Sequence, residues 1–207
     1  MPQPIIYLDN NATTRLDPAV LEAMLPFLSE SYGNAGSAHP LGQLAEGALV
    51  AARERVAALL GCAPAEIVFN GGGTEGLNHA FRGVFEAFPA KRHFVSTSVE
   101  HSAVLAILDW LRAHGAEVTL LGVDAQGRLD LAELEAVLRP DTALVSVMAA
   151  NNETGALFPL PEIARIVKGR GILLHRAHGG ALPEPVRQQR AQDALLVRLA
   201  LRESASQ

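Results

Sequence analysis

The sequence has a single cysteine, Cys62, in 207 residues, so no disulfide within the chain holds it together, and a reducing cytoplasm is the expected compartment. It has no basic surplus: a net charge of -5 gives no pull toward a nucleic-acid backbone or an anionic lipid surface. Long apolar runs are missing too, the stretch 142–150 being about half of the roughly 20 residues a membrane helix requires. The first residues, Met1-Pro2-Gln3-Pro4, lack the basic and apolar regions of a secretory leader. Neither nucleic acid nor membrane is an expected partner. What the chain does have is 49% hydrophobic against 19% charged residues, enough apolar material to bury a sizeable core.

Asp17-Pro18 sets a capping side chain before a proline at the first helical position, and Val20, Leu21, Met24 and Leu25 follow at helical spacing, predicting a helix of about ten residues. A loop of small residues covers 31–40. Leu41, Leu44, Ala45, Ala48, Ala52, Val56 and Leu59 then trace one face of a long helix that Gly61 ends. From residue 66 short apolar runs alternate with amphipathic stretches. Strands are expected at 67–69, 93–96, 118–121, 143–148 and 172–174, and helices at 74–88, 102–114 and 161–168. Asp130 with Glu133 resembles a capping box opening one more helix, to Leu138. Such alternation implies an α/β fold with a mostly parallel sheet covered by helices on both faces. After residue 175 the rhythm stops, and the tail turns rich in arginine, glutamine, alanine and proline, although 191–202 has helical spacing through Leu195, Leu196, Leu199 and Leu201.

Three segments can carry chemistry. In Phe69-Asn70-Gly71-Gly72-Gly73-Thr74-Glu75-Gly76 an apolar run enters a helix through three glycines. Glycine lets an anion approach the backbone closely, and the unbonded N–H groups and dipole of the helix start favour phosphate. A plain tight turn uses the same residues, and both readings stand. The pattern is neither a Walker loop nor a clean Gly-x-Gly-x-x-Gly, which disfavours nucleoside triphosphates and dinucleotides. In Val99-Glu100-His101-Ser102 a histidine sits between a strand and a helix, as a cap or as a proton-transferring group, at the sheet edge where ligands collect. In Ala150-Asn151-Asn152-Glu153-Thr154-Gly155 two amides follow an apolar strand, suited to orienting a ring hydroxyl or a carboxylate, or simply to forming a turn.

Together with Leu8-Asp9-Asn10-Asn11-Ala12-Thr13-Thr14 and Gly33-Asn34-Ala35-Gly36-Ser37-Ala38-His39, these segments resemble cysteine desulfurases of the NifS/IscS type, in order and without large gaps over about residues 5–175. The nitrogen-fixation branch is the nearest in character. The resemblance implies the large domain of an aminotransferase-like enzyme dependent on pyridoxal 5'-phosphate (PLP). It places Gly73 and Thr74 on the cofactor phosphate, His101 against the ring and in proton transfers, Asn152 on the phenolic oxygen, and Asn34 near the substrate carboxylate. It implies L-cysteine as substrate, alanine and an enzyme persulfide as products, an iron–sulfur scaffold protein as sulfur acceptor, and a homodimer.

The resemblance stops after His175. The family continues with an aspartate for the ring nitrogen and a glutamine at the ring oxygen, where this chain reads Arg176-Ala177-His178-Gly179-Gly180. The family's Ser-x-His-Lys, whose lysine binds PLP covalently, has no counterpart, since the only lysines are Lys91 and Lys168, each expected to be a surface charge. Cys62 is read as a small buried hydrophobe rather than a sulfur carrier. Residues 1–175 are thus expected to form the N-terminal part of a truncated large domain, with a divergent tail at 176–207 produced by a frame change or gene truncation. The alternatives are a non-catalytic remnant that binds a partner or a phosphate ligand, and a related PLP lyase such as a selenocysteine lyase.

Overall fold

The computed structural model describes residues 5–10 and 13–176; the helix expected at 191–202 lies outside them. The described residues fall into two compact units, one ending at Val68 and one beginning at Phe69.

In the first unit, α1 (Pro18–Ser29) starts where the Asp17 carboxylate accepts the Ala19 N–H at 2.8 Å, with proline in the first turn. Helix α2 (Pro40–Leu60) ends at Gly61, whose φ of 68° is the left-handed conformation that only glycine adopts cheaply. Its start is fixed by Gly42, where a Cβ would collide with the Ser37 carbonyl of the preceding loop. A short 3-10 turn, Pro64–Glu66, closes the unit. The strand expected at 67–69 does not form. Its backbone starts extended, yet none of the four strands of the sheet pairs with it, and without a ladder an apolar run is not a strand.

The second unit runs α3 (Gly73–Ala87), β1 (His93–Thr97), α4 (Ser102–Ala113), β2 (Glu117–Leu121), α5 (Leu131–Val137), β3 (Thr142–Ser146), α6 (Leu160–Lys168) and β4 (Leu173–His175). All pairings are parallel, in the order β2-β1-β3-β4. Every residue of β1 and β3 is buried, which requires cover on both faces. Phe81 of α3 and Val104, Ile107, Leu108 and Leu111 of α4 cluster with Phe94 and Leu144 of the sheet. Each such side chain contributes roughly 1.5–3 kcal/mol by leaving water. Helices α5 and α6 pack on each other and against β2 and β4.

The strand order fixes where the chain changes direction. From β1 it crosses to one side to make β2, then returns past β1 to make β3 and goes on to β4. With right-handed crossovers this sends α4 and α6 to opposite faces. The loops leaving β1 and β3 therefore diverge, opening a crevice at the carboxyl ends of adjacent strands, the switch point at which open sheets of this kind bind ligands.

At the other edge, the His93 ring bonds the hydroxyls of Thr142 at 2.8 Å and Thr119 at 2.9 Å, tying the strands together near their starts. Burial first, and then nearby Arg139, hold this imidazole below its ordinary pKa. Arg139 bridges Glu117 at 2.6 Å and Asp141 at 2.9 Å, but these groups are partly exposed and add little.

Candidate cofactor site

Helix α3 begins at the glycine run with no side-chain cap on its first turn. Its first intrahelical bond is the Gly76 N–H to the Gly72 carbonyl at 3.1 Å, so the N–H groups of Gly73, Thr74 and Glu75 have no acceptor within the helix. The side chains that could have capped them are used upstream: Asn70 Oδ1 accepts the Gly72 N–H at 2.9 Å and Glu75 Oε2 the Gly71 N–H at 2.7 Å. These two bonds hold the turn in shape while leaving the helix start open. Gly73 and Thr74 are exposed, and a Cβ at Gly73 would meet nothing within 4 Å. This is the donor set that a phosphate dianion requires.

The direction of α3 places that start at the carboxyl edge of the sheet. Its last turns lie at the beginning of β1, where Arg92 Nη1 donates to the Phe85 carbonyl at 3.0 Å. Farther up, the Phe81 ring meets His175, the last residue of β4, edge-on at 5.2 Å. Gly73 lies two turns beyond Phe81, on the side of the loops that follow β1 and β3.

His101 caps α4: its Nδ1 accepts the Ala103 N–H at 3.1 Å, and the side chain is exposed. The capping reading of this residue holds, and it has a chemical consequence. With Nδ1 accepting, the neutral ring carries its proton on Nε2 and presents a donor outward.

The two asparagines have separate duties. Asn151 is the scaffold: its Oδ1 accepts the N–H groups of Glu153 at 3.0 Å and Thr154 at 2.9 Å, and its Nδ2 donates to the Val99 carbonyl at 3.1 Å. Half-buried Asn152 bonds only within its own loop, Nδ2 to Glu153 Oε1 at 2.7 Å. Unlike Asn151, it makes no bond to the loop after β1. Asn34 belongs to the first unit, where its Oδ1 accepts the Gly36 N–H at 2.8 Å.

Two groups escaped sequence reasoning. Glu100, 6% exposed, accepts the Met148 N–H at 2.7 Å and the Thr97 hydroxyl at 3.2 Å; nothing local in the sequence marked its distant partner. The structural role of Asn151 had no cue separating it from Asn152. The two lysines take the opposite edge: Lys91 precedes β1, and Lys168 ends α6, ahead of β4. Both lie at the amino ends of strands, away from the crevice. Cys62 is half-buried and unpaired.

Residues 6–176 match the family model described as aminotransferase class-V. The chain is 53% identical over 171 residues to a cysteine desulfurase of Nostoc sp., covering 83% of this chain and 43% of that protein. It is 50% identical over 172 residues to the cysteine desulfurase IscS of Anaeromyxobacter sp., covering 82% of this chain and 43% of that one. A solved NifS-like protein superimposes with a TM-score of 0.80 at 44% identity, over 84% of this chain and 48% of that one. The chain thus spans under half the length of these relatives. From the family model matched over residues 6–176, the identity to these relatives and the shared fold, the chain belongs to the class-V aminotransferase family, a PLP-dependent family in which it resembles the NifS- and IscS-type cysteine desulfurases.

Proposed function

We propose that residues 5–176 are the part of a cysteine desulfurase that holds the phosphate and one side of the ring of PLP. The observation that carries this reading is the uncapped start of α3, offering adjacent amides at the same sheet edge as His101 and Asn152. Gly73 and Thr74 bind the phosphate, Thr74 adding a hydroxyl. His101 lies along the ring and presents Nε2–H, and Asn152 turns its amide to the phenolic oxygen. Asn34 serves the substrate carboxylate. When bound, PLP would supply the electron sink that labilises bonds at the α-carbon of L-cysteine, and these residues would orient it.

The reaction proposed for the family member to which this segment corresponds is sulfur removal from L-cysteine, giving alanine and a persulfide. A homodimer, a cytoplasmic location and an iron–sulfur scaffold as acceptor belong to the same proposal. The 207 residues by themselves support a narrower reading, a non-catalytic binder of PLP. It is favoured by the position of Lys91 and Lys168 at the edge of the sheet away from the site.

Titrating the full chain with PLP, followed by borohydride reduction and peptide mapping, tests both readings. Saturable uptake that weakens about tenfold in Thr74→Ala, with no lysine-linked product and no sulfide from cysteine, is expected, tenfold being the loss of a charge-assisted bond. Absence of uptake overturns the cofactor reading. A lysine adduct or sulfide release overturns the narrower one.

A further inference from the structure

The ladder between β1 and β3 registers His93 with Thr142, Phe94 with Leu144 and Val95 with Val145, and no pair beyond. Past that point the two strands lead into loops that part toward opposite faces. Three side-chain bonds then bridge them: Ser96 Oγ to the Ser146 carbonyl at 2.9 Å, Glu100 Oε1 from the Met148 N–H at 2.7 Å, and Asn151 Nδ2 to the Val99 carbonyl at 3.1 Å. The shortest of them belongs to Glu100, the residue beside His101, and it reaches the strand extension that leads into Asn151 and Asn152.

Glu100 is an expensive choice for satisfying one N–H. Its Oε1 is used twice, while Oε2 is buried without a hydrogen-bond partner. A carboxyl in that setting costs more than an amide of the same shape. The loss of solvation shows in its acidity: burial is the largest influence on it, only partly offset by the Met148 and Thr97 bonds, and the pKa is pushed up to about 7. The group is therefore about half protonated at neutrality and increasingly neutral below it, and both the neutral and the ionised carboxyl accept the Met148 N–H.

We propose that Glu100 is a positioning residue for the cofactor ring: alongside the Ser96 and Asn151 bonds, its Oε1 helps fix how far the loop bearing His101 stands from the loop bearing Asn152, so that this buried bond bears on both ring contacts. The proposal rests on the cofactor reading above, but the brace itself rests on geometry, and the two fail separately. The phosphate contacts at Gly73 and Thr74 lie on α3, outside the braced loops. Loosening the brace should hence weaken the binding of PLP while leaving that of inorganic phosphate unchanged.

The experiment uses the full chain and Glu100→Leu, Glu100→Gln and Thr97→Val. Four quantities are read at pH 7.5: affinity for PLP, affinity for inorganic phosphate, hydrogen exchange at the Met148 amide, and the ring nitrogen shifts of His101, with a melt on each variant. Glu100→Leu is expected to weaken PLP about tenfold, the scale of a lost buried bond, with phosphate affinity unchanged, faster Met148 exchange and moved His101 shifts. Glu100→Gln restores all of them. Thr97→Val, which deletes only the 3.2 Å bond, moves the same quantities by a smaller factor and decides the matter if Glu100→Leu does not fold. An unchanged ratio of PLP to phosphate affinity in the leucine and valine variants overturns the proposal, as does a glutamine variant that behaves like leucine. If the parent chain takes up no PLP, the cofactor reading falls. The brace is then judged by Met148 exchange and His101 shifts: movement in leucine with rescue by glutamine supports it, and no movement overturns it.

Discussion

Helices α1 and α6 have apolar residues at similar helical spacing and end in opposite surroundings. In α6, Leu160, Ile163, Ile166 and Val167 are all buried, against α5 and β4. In α1 no residue is buried, and Val20, Leu21, Met24, Leu25, Phe27 and Leu28 stand 44% to 70% exposed. A period of 3.6 residues states that a helix has an apolar face and leaves open what covers it. In the second unit the cover comes from a sheet whose strands are far apart in sequence. The stabilising weight of the described residues accordingly lies after residue 69, and substitutions sort by unit more than by residue type.

The largest expected effect is in the sheet unit. Leu108→Ala, at a position 1% exposed, should cost about 2–5 kcal/mol in a denaturant melt; a loss below 1 kcal/mol would mean that the cluster on α3 and α4 is not the core. Next comes pH. Because folding raises the pKa of Glu100 from 4.5 to about 7, the folded chain holds more protons than the unfolded one between those values. This contribution is fully present below about pH 4.5 and is lost as pH rises through about 7, a decline of up to about 3 kcal/mol by linkage. Glu100→Gln should flatten that part of the profile and be the more stable form at pH 8, and a slope surviving in the glutamine variant would place its origin elsewhere. Asp130→Ala removes the cap that accepts from Ala132 at 2.8 Å and Glu133 at 3.3 Å, and should cost about 1 kcal/mol. Smallest is Leu28→Ser on α1, expected within about 0.5 kcal/mol; a loss of 2 kcal/mol there would erase the contrast between the two helices.

Where local chemistry decides, the sequence was readable. The Asp17-Pro18 start, the Gly61 end and the Asp130 cap all stand within a residue or two of the expected places, because each depends on a side chain bonding its own neighbours. The parallel sheet followed from the strand–helix rhythm. The expected strand at 67–69 failed for the converse reason: apolar content is local, whereas a ladder partner is not. The site divides in the same way. The glycine turn was visible because an uncapped helix start is a local arrangement. Glu100 was not, because its partner Met148 lies 48 residues away, and a glutamate before a histidine looks like a solvated surface pair. His101 showed the limits of residue type: capping and chemistry use the same ring, and the cap bond decides which nitrogen carries the proton.

The histidine at the foot of β1 sets a timetable for folding on the ribosome. His93 gains its second hydroxyl partner only when Thr142 arrives, 49 residues later. At about 5–20 residues per second that is an interval of roughly 2 to 10 seconds, during which one edge of β1 has no neighbour and Thr119 is the one hydroxyl of the pair within the ring's reach. Until β3 docks, the ring lacks its Thr142 partner and the cover of β3. The closing of the sheet can then be followed, in stalled chains of increasing length, by the change in that one ring's nitrogen shifts as Thr142 joins it.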